Sequence, residues 1–354
     1  MRRTDRTGRQ SGQVLVLFAI SLTLIITITG LAVDGGNGLT QRRNAQNTAD
    51  FAAMAGARIV AEWISGDVAN GTDANVRAAI QNTVAANGGD AMTFGSSNGP
   101  RYIDDAGDQL GYIGSGLIPP AAVGVSVTAN LTFPTTFIRI AGINTWMASA
   151  TASARGGYAT GAPSGALFPA GISLAFFQTY PFCVGDVGSS PSCAPHHLTP
   201  GSLNVPGGFG WLTFGCNGYG LGQVPPANAG GCGNSKPFLQ GEIGPPSNSY
   251  GCCTKVGISG SADRIGSLPG NKVSADCSVR IQQKATVVVP VWDYAGGNGS
   301  NAWYHIVGFS GFQITGCSGG KDLEGVWRKA FFEGPVTSES NGLPFQSLGV
   351  QLIR

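Results

Sequence analysis

The sequence predicts an α+β protein in which an N-terminal transmembrane helix leads into a small α+β domain, followed by an irregular, Gly-rich β domain stapled by disulfides. Three observations predict it. An uncharged apolar run near the N-terminus is followed by a heptad of small residues. Two stretches between residues 123 and 154 alternate in polarity with a period of two. All eight cysteines lie between Cys183 and Cys317, in the half richest in Gly, Pro, Ser and Asn.

Composition supports that division and excludes other classes. Charged residues make up 11% of the 354, against about 25% in an average soluble domain, and 56 are Gly, well above the usual share of about 7%. The glycines follow no G-X-Y period, which excludes collagen, and a hydrophobic content of 42% is enough to build cores. The net charge is +2, and Arg2, Arg3, Arg6 and Arg9 supply four of the 21 basic residues within the first 13 positions. The rest of the chain is close to neutral, with no basic footprint for nucleic acid.

From Gln10 to Val33 there is no charge, and Val14 to Val33 has the roughly 20 residues needed to cross the hydrocarbon layer. Arginines before it and Asp34 after it orient residues 1–13 to the cytoplasm and the bulk of the chain outside. A cleaved signal peptide is the alternative, with Gly30 and Ala32 as small residues near a cleavage site. The length of the apolar core favours a retained anchor.

After glycines 35, 36 and 38, residues Ala45, Ala49, Ala52, Gly56, Ile59 and Trp63 recur at spacings of four and three. Small residues at such a seam let backbones approach closely, so this helix is expected to pack lengthwise against another helix or a sheet, its own or a partner's. A second helix is predicted over Thr72 to Ala86, stopped by Asn87-Gly88-Gly89. The alternation of Val123, Val125, Val127, Ala129 and Leu131 predicts a half-buried strand, and that of Trp146, Ala148, Ala150, Ala152 and Ala154 a second. Pro134 to Ile143 forms a short helical link between them, and the unit is expected to end near Gly156-Gly157. The domains are therefore drawn as 14–33 for the membrane helix, 34–156 for the α+β unit and 157–354 for the Cys-rich β domain, with Tyr158 to Ser173 as a linker.

The apolar segment from Gly12, the stretch Gln46 to Arg58, and the segment Val125 to Ala154 together resemble the TadE/TadG-like proteins of tight-adherence (Flp-type) pilus assembly. The resemblance covers about the first 155 residues. It implies a pilin-like N-terminal helix that anchors an extracytoplasmic domain beside the pilus machinery, with TadE/TadF-like pseudopilins and an inner-membrane platform as partners. Pseudopilin-like members carry a Gly before the processing site and a Glu five residues later. Here Gly12 matches the Gly, but the fifth residue is Leu17, which favours the TadG-like branch and a retained anchor. The larger TadG proteins carry a DxSxS metal site; no such string occurs here, and no cofactor or metal is expected.

In the second half, Gly210 to Phe214, Ala285 to Trp292 and Ala302 to Thr315 read as strand islands, and Pro290 points to an edge or bulge. The cysteines Cys183, Cys193, Cys216, Cys232, Cys252, Cys253, Cys277 and Cys317 are expected in disulfides, because they are even in number and lack the CxxC spacing of a zinc site. Eight cysteines allow 105 connectivities, and adjacent Cys252 and Cys253 are expected to reach different partners.

For an enzyme, the chain offers His196, His197 and His305 as its imidazoles. His305 lies on a strand face with Trp303, Val307 and Phe309 and reads as a packed, locally bonded histidine; His196-His197, in a Pro-flanked loop after Cys193, reads as a solvated turn, and a metal reading of that pair needs Asp186 or Asp293 nearby. There is no GxSxG, HExxH or P-loop string. Asp322 and Glu324, followed by Glu333 and Glu339, read as strand-edge charges rather than a glycosidase pair. The sequence therefore points to a non-enzymatic, membrane-anchored accessory of Tad-type pilus assembly. An anchored hydrolase and a pilus-independent surface adhesin are the alternatives.

Overall fold

A computed structural model describes residues 11–162, 167, 168, 170–178, 183, 186–198, 212–213, 256–257, 264–267, 286–297, 303–318, 322–339 and 347–353. The first element, α1, runs unbroken from Ser11 to Ile64. At 1.5 Å per residue its 54 residues make a rod roughly 80 Å long. The helix continues through Gly35, Gly36 and Gly38, which stand between the apolar run and the small-residue seam. Gly lowers helix propensity by about 1 kcal/mol without forbidding the conformation, and packing on either side of these residues carries the helix across.

Helix α2 spans Asp73–Ala86, and the Thr72 hydroxyl caps it by accepting from the Asn75 amide at 3.2 Å. The strands follow in chain order. Before the predicted domain boundary they are β1 (Arg101–Ile103), β2 (Gln109–Tyr112), β3 (Gly124–Pro134) and β4 (Thr145–Ala159). In the expected linker and beyond come β5 (Gly161–Ala162), β6 (Ile172–Ser173), β7 (His196–Leu198), β8 (Leu212–Thr213), β9 (Val256–Gly257) and β10 (Arg264–Ser267). The last group is β11 (Thr286–Gly296), β12 (Trp303–Ser318), β13 (Asp322–Arg328), β14 (Phe331–Glu333), β15 (Val336–Thr337) and β16 (Leu348–Ile353).

The first sheet has the order β14-β16-β4-β3-β1-β2, with β15 also pairing with β4. The two alternating stretches of sequence form its centre. Strands β3 and β4 pair antiparallel from Gly124↔Arg155 to Pro134↔Thr145, joined by a 3₁₀ turn at Ile138–Ala141 where a helical link was predicted. Strand β4 continues beyond Gly157 to Ala159, and β16 from the C-terminal end pairs with it from Leu348↔Tyr158 to Ile353↔Ser153. One sheet thus takes strands from both sides of residue 157. Nothing between residues 34 and 156 signals this, because β4 needs a partner on its second edge and the chain supplies it about 190 residues later.

Helix α1 crosses this sheet and α2. Gly156 sits at the crossing, where any Cβ would run into the Ala57 carbonyl of α1. Buried Asp73 ties the start of α2 to a loop. Its carboxylate accepts from the Tyr102 hydroxyl at 2.6 Å and from the amides of Gly114 (2.9 Å) and Gly116 (2.7 Å). Burial and the neighbouring carboxylate push the Tyr102 hydroxyl pKa far up.

The second sheet has the order β6-β11-β12-β10-β8, with β13 pairing with β12 and β7. Its apolar run Val287 to Trp292 is continuous because it is buried on both faces. Val287, Val289 and Val291 join Phe312, Trp327 and Phe177 on one face. Val288 and Trp292 join Tyr304, Ile306 and Phe309 on the other. The ladder shifts register just after Pro290, at Val291/Trp292. Trp327 is held edge-on by Phe177 and Phe312, with ring centroids 4.8 and 5.1 Å away. The presumed linker contributes β5, β6 and a bridge from Leu167 to Val288.

Side chains also join α1 and its end to elements of both sheets. Lys329, just after β13, reaches Asp67, just after α1, at 2.9 Å, and Arg58 of α1 stacks over Phe331 of β14 at 4.6 Å.

Candidate functional site

Helix α1 divides into two halves with different surroundings. From Val14 to Val33 its large side chains are exposed, among them Leu15, Phe18, Leu24 and Ile28. Among the described residues α1 is the one helix long and apolar enough to cross a membrane. Two of the three threonines there return their hydroxyls to the helix: Thr23 donates to the Ala19 carbonyl and Thr27 to the Thr23 carbonyl, each at 2.8 Å. Such back-bonds satisfy these two hydroxyl protons in an apolar surrounding.

In the second half, one stripe faces the protein. Ala45, Ala49 and Ala52 are fully buried, and Gly56 lies within the same stripe. A Cβ on Gly56 would come within 2.9 Å of Ile80 of α2 and 3.0 Å of Val125 of β3. Of the surfaces the seam was expected to meet, the one observed is this chain's own sheet and α2. The stripe passes on to Ala57, Val60 and Ala61, leaving Ile59 and Trp63 half-buried at its flank. The reason is the mismatch between periods: a straight helix of 3.6 residues per turn drifts about 20° per heptad, so a strict seven-residue reading slips off the buried face.

The buried stripe also begins earlier than the heptad suggests. Gly30 and Asp34, one turn apart on the same face, are both buried. Asp34 is 1% exposed, and its carboxylate accepts three backbone N–H bonds from the β3–β4 connection, from Thr136 and Phe137 at 2.8 Å and from Ile138 at 2.7 Å. Burial alone raises the Asp34 pKa, but the three amides outweigh it and hold the carboxyl below its ordinary range. Gly30 makes room for Phe137, whose Cβ lies 2.6 Å from where a Cβ on residue 30 would stand. Trp146 and Phe133 pack side by side next to Gly38. The junction between the two halves is therefore built from small residues and one acid. Its signal in the sequence was Gly30 and Asp34 at i, i+4, which a search for apolar periodicity passes over.

Of the cysteines, Cys183 and Cys193 form a disulfide with Cα atoms 4.6 Å apart, both buried against Val326. Cys216, Cys232, Cys252, Cys253 and Cys277 lie outside the described residues, and Cys317 is described only as part of β12 opposite Leu323.

His305 bonds through Nδ1 to the Asp293 carboxylate at 2.7 Å, the local bonding expected of a packed strand histidine. His196 and His197 lie on strand β7 rather than in a solvated turn, because β13 offers them an edge to pair with: His196 stands opposite Gly325 and His197 opposite Glu324, and burial lowers the His196 pKa. Asp186 lies in an exposed turn before Cys193, and Glu333 and Glu339 are exposed. Among the described residues no three His, Cys, Asp or Glu side chains are grouped to hold a metal ion.

An apolar helix, exposed along its first half and packed by small residues onto an α+β body along its second, has the form of an N-terminal membrane anchor joined to a folded body. A family model described as "Putative Flp pilus-assembly TadE/G-like" matches residues 12–58, from the start of α1 to the point where it crosses Gly156. The match covers two of the three stretches on which the resemblance was read, the apolar segment from Gly12 and Gln46 to Arg58; Val125 to Ala154 lies outside it. No curated protein and no solved structure matches the chain.

Proposed function

We propose that the protein is a single-pass, N-terminally anchored accessory of Tad/Flp-type pilus assembly, with residues 1–13 in the cytoplasm and the two sheets outside. The observation that carries this reading is the continuity of α1. The segment that matches the pilus-assembly model joins an exposed apolar rod to the buried face of the folded domain without a break. Its work is positional. A helix that is continuous from the membrane into the core transmits the placement of its apolar half to the body, so a partner engaging either end fixes the other.

The seam of Ala45, Ala49, Ala52 and Gly56 serves this by letting the helix lie directly on β3, β4 and α2. Partner contact then falls to the exposed half and to the body's surface. The partners proposed are TadE/TadF-like pseudopilins and the inner-membrane platform, with no nucleic acid. Mild-detergent purification of the tagged full chain from membranes, with mass spectrometry of what comes with it, is the test. Recovery of pseudopilin and platform subunits, with fewer surface pili when the chain is deleted, is expected. A chain that purifies alone, and whose deletion leaves piliation unchanged, contradicts the proposal.

A further inference from the structure

The connection between β3 and β4 carries apolar side chains where a water-facing loop carries polar ones. Ile140 is 81% exposed and Ile143 50%, and Trp146 and Met147 at the start of β4 are exposed as well. These residues continue the bare surface of α1. A groove runs between the helix and the turn, lined by Thr23, Ile26, Thr27, Leu31, Phe137 and Ile140.

Helix geometry gives the depth of this patch. The turn's first amides lie at Asp34, the residue after the apolar run, and Phe137 lies on Gly30. Gly30 and Thr27 are four and seven residues nearer the N-terminus, so they lie about 6 and 10 Å farther along the axis. With Val14 to Val33 spanning the bilayer, the 3₁₀ turn sits in the outer 6 to 10 Å of the hydrocarbon layer, roughly the depth at which interfacial apolar segments bury.

The backbone of the turn is prepared for that surrounding. A backbone amide without a partner costs several kcal/mol in hydrocarbon. Here the amide of Thr135 bonds to the Asn144 carbonyl, and those of Thr136, Phe137 and Ile138 bond to Asp34. The amides of Ile140 and Gly142 bond to the carbonyls of Phe137 and Arg139, and the Thr135 hydroxyl bonds to the Ile143 carbonyl. Arg139 is exposed within the turn, and Trp146 stands beside Gly38, one turn outward from Asp34. A basic residue with a long apolar stem and an indole at that level suit the headgroup boundary.

We propose that the β3–β4 turn inserts Ile140 and Ile143 among the acyl chains of the outward-facing leaflet, as a second membrane contact that fixes how the folded body sits on the bilayer. The proposal rests on the reading of Val14 to Val33 as the membrane span.

The test uses the full chain in vesicles of phosphatidylethanolamine and phosphatidylglycerol, with a genetically encoded benzophenone crosslinker placed singly at residue 24, 117 or 140. Leu24 lies in the apolar half of α1. Leu117 is 78% exposed beside the Asp73 network, next to the far end of α1. Lipid-mass adducts at 24 and 140, with none at 117, are expected. Adducts at 24 without any at 140 overturn the insertion and leave the anchor standing. Absence of adducts at 24 overturns the anchor reading, and the insertion with it. A protein adduct at 140 in place of lipid also overturns the proposal, because it assigns the patch to another chain.

Discussion

The two halves of α1 are one helix built from two vocabularies. Between Val14 and Val33 the side chains are mostly Leu, Ile, Val and Phe, all exposed; between Ala45 and Ala61 the inward stripe is Ala and Gly with one Thr and one Val, all buried. Bulk belongs where the neighbour is fluid and can deform, and smallness where the neighbour is a fixed sheet. Helix propensity does not set this pattern: Leu and Ala both favour the conformation, and Ile and Val, common in the first half, favour it less. What differs is the surface each half meets, and residue size records it.

The largest effect that breaks this comparison comes from adding volume to the fixed side. In Gly156→Val the new side chain favours the strand, so any loss is steric, against the Ala57 carbonyl. We expect a loss of about 3 kcal/mol, read as a lower thermal midpoint of the full chain in detergent. Removing volume from the fluid side, in Leu24→Ala, should change that midpoint by less than about 0.5 kcal/mol. Equal effects in the two variants would erase the distinction between the halves.

A smaller effect sharpens the comparison at the two ends of the packed half. Asp34 and Asp67 both have lowered pKa values, Asp67 to about 2 because Lys329 donates to it and Asn70 assists. A lowered carboxylate pKa stabilises the folded state fully above the ordinary value of about 3.9, and that stabilisation fades as pH falls through the lowered value. Thermal midpoints measured from neutral pH downward should therefore hold level above about pH 4 and then decline. In Lys329→Ala the decline should become shallower, because Asp67 then titrates near its ordinary value while Asp34 keeps its share. An unchanged slope would show that the Asp67–Lys329 contact adds nothing to the fold. The Asp67 side chain is 20% exposed and that of Lys329 43%, so solvent screens the pair and its part is modest.

Much of the first sheet was legible in the sequence because its signals are local. The alternation at Val123 to Leu131 and Trp146 to Ala154 gave β3 and β4, and the cap-type Thr72 with Asn87-Gly88 gave α2 within a residue. What was not legible depended on distance along the chain. Strand β16 completes β4 from the C-terminal end, and its short run Leu348 to Ile353 carries no mark of which edge it will join. The junction escaped notice for a different reason. Asp34 acts through three amides more than 100 residues away, and an acid at the end of an apolar run reads first as a topology signal. Along α1 a strict seven-residue spacing leads to Ile59 and Trp63, which are half-buried, whereas the buried face of the straight helix passes through Val60 and Ala61. Pro290 was legible because a missing N–H has local consequences, and the ladder does shift register beside it.

The central claim is that α1 leaves the bilayer at Asp34 and carries everything after it on the outer side. Protease digestion of intact spheroplasts, followed by alkaline extraction of the membranes and mass spectrometry, tests it directly. The account predicts that the body is degraded while a fragment containing Val14 to Val33 stays in the extracted membrane. A body protected until the membrane is opened, or a full chain released by alkaline extraction, would contradict it.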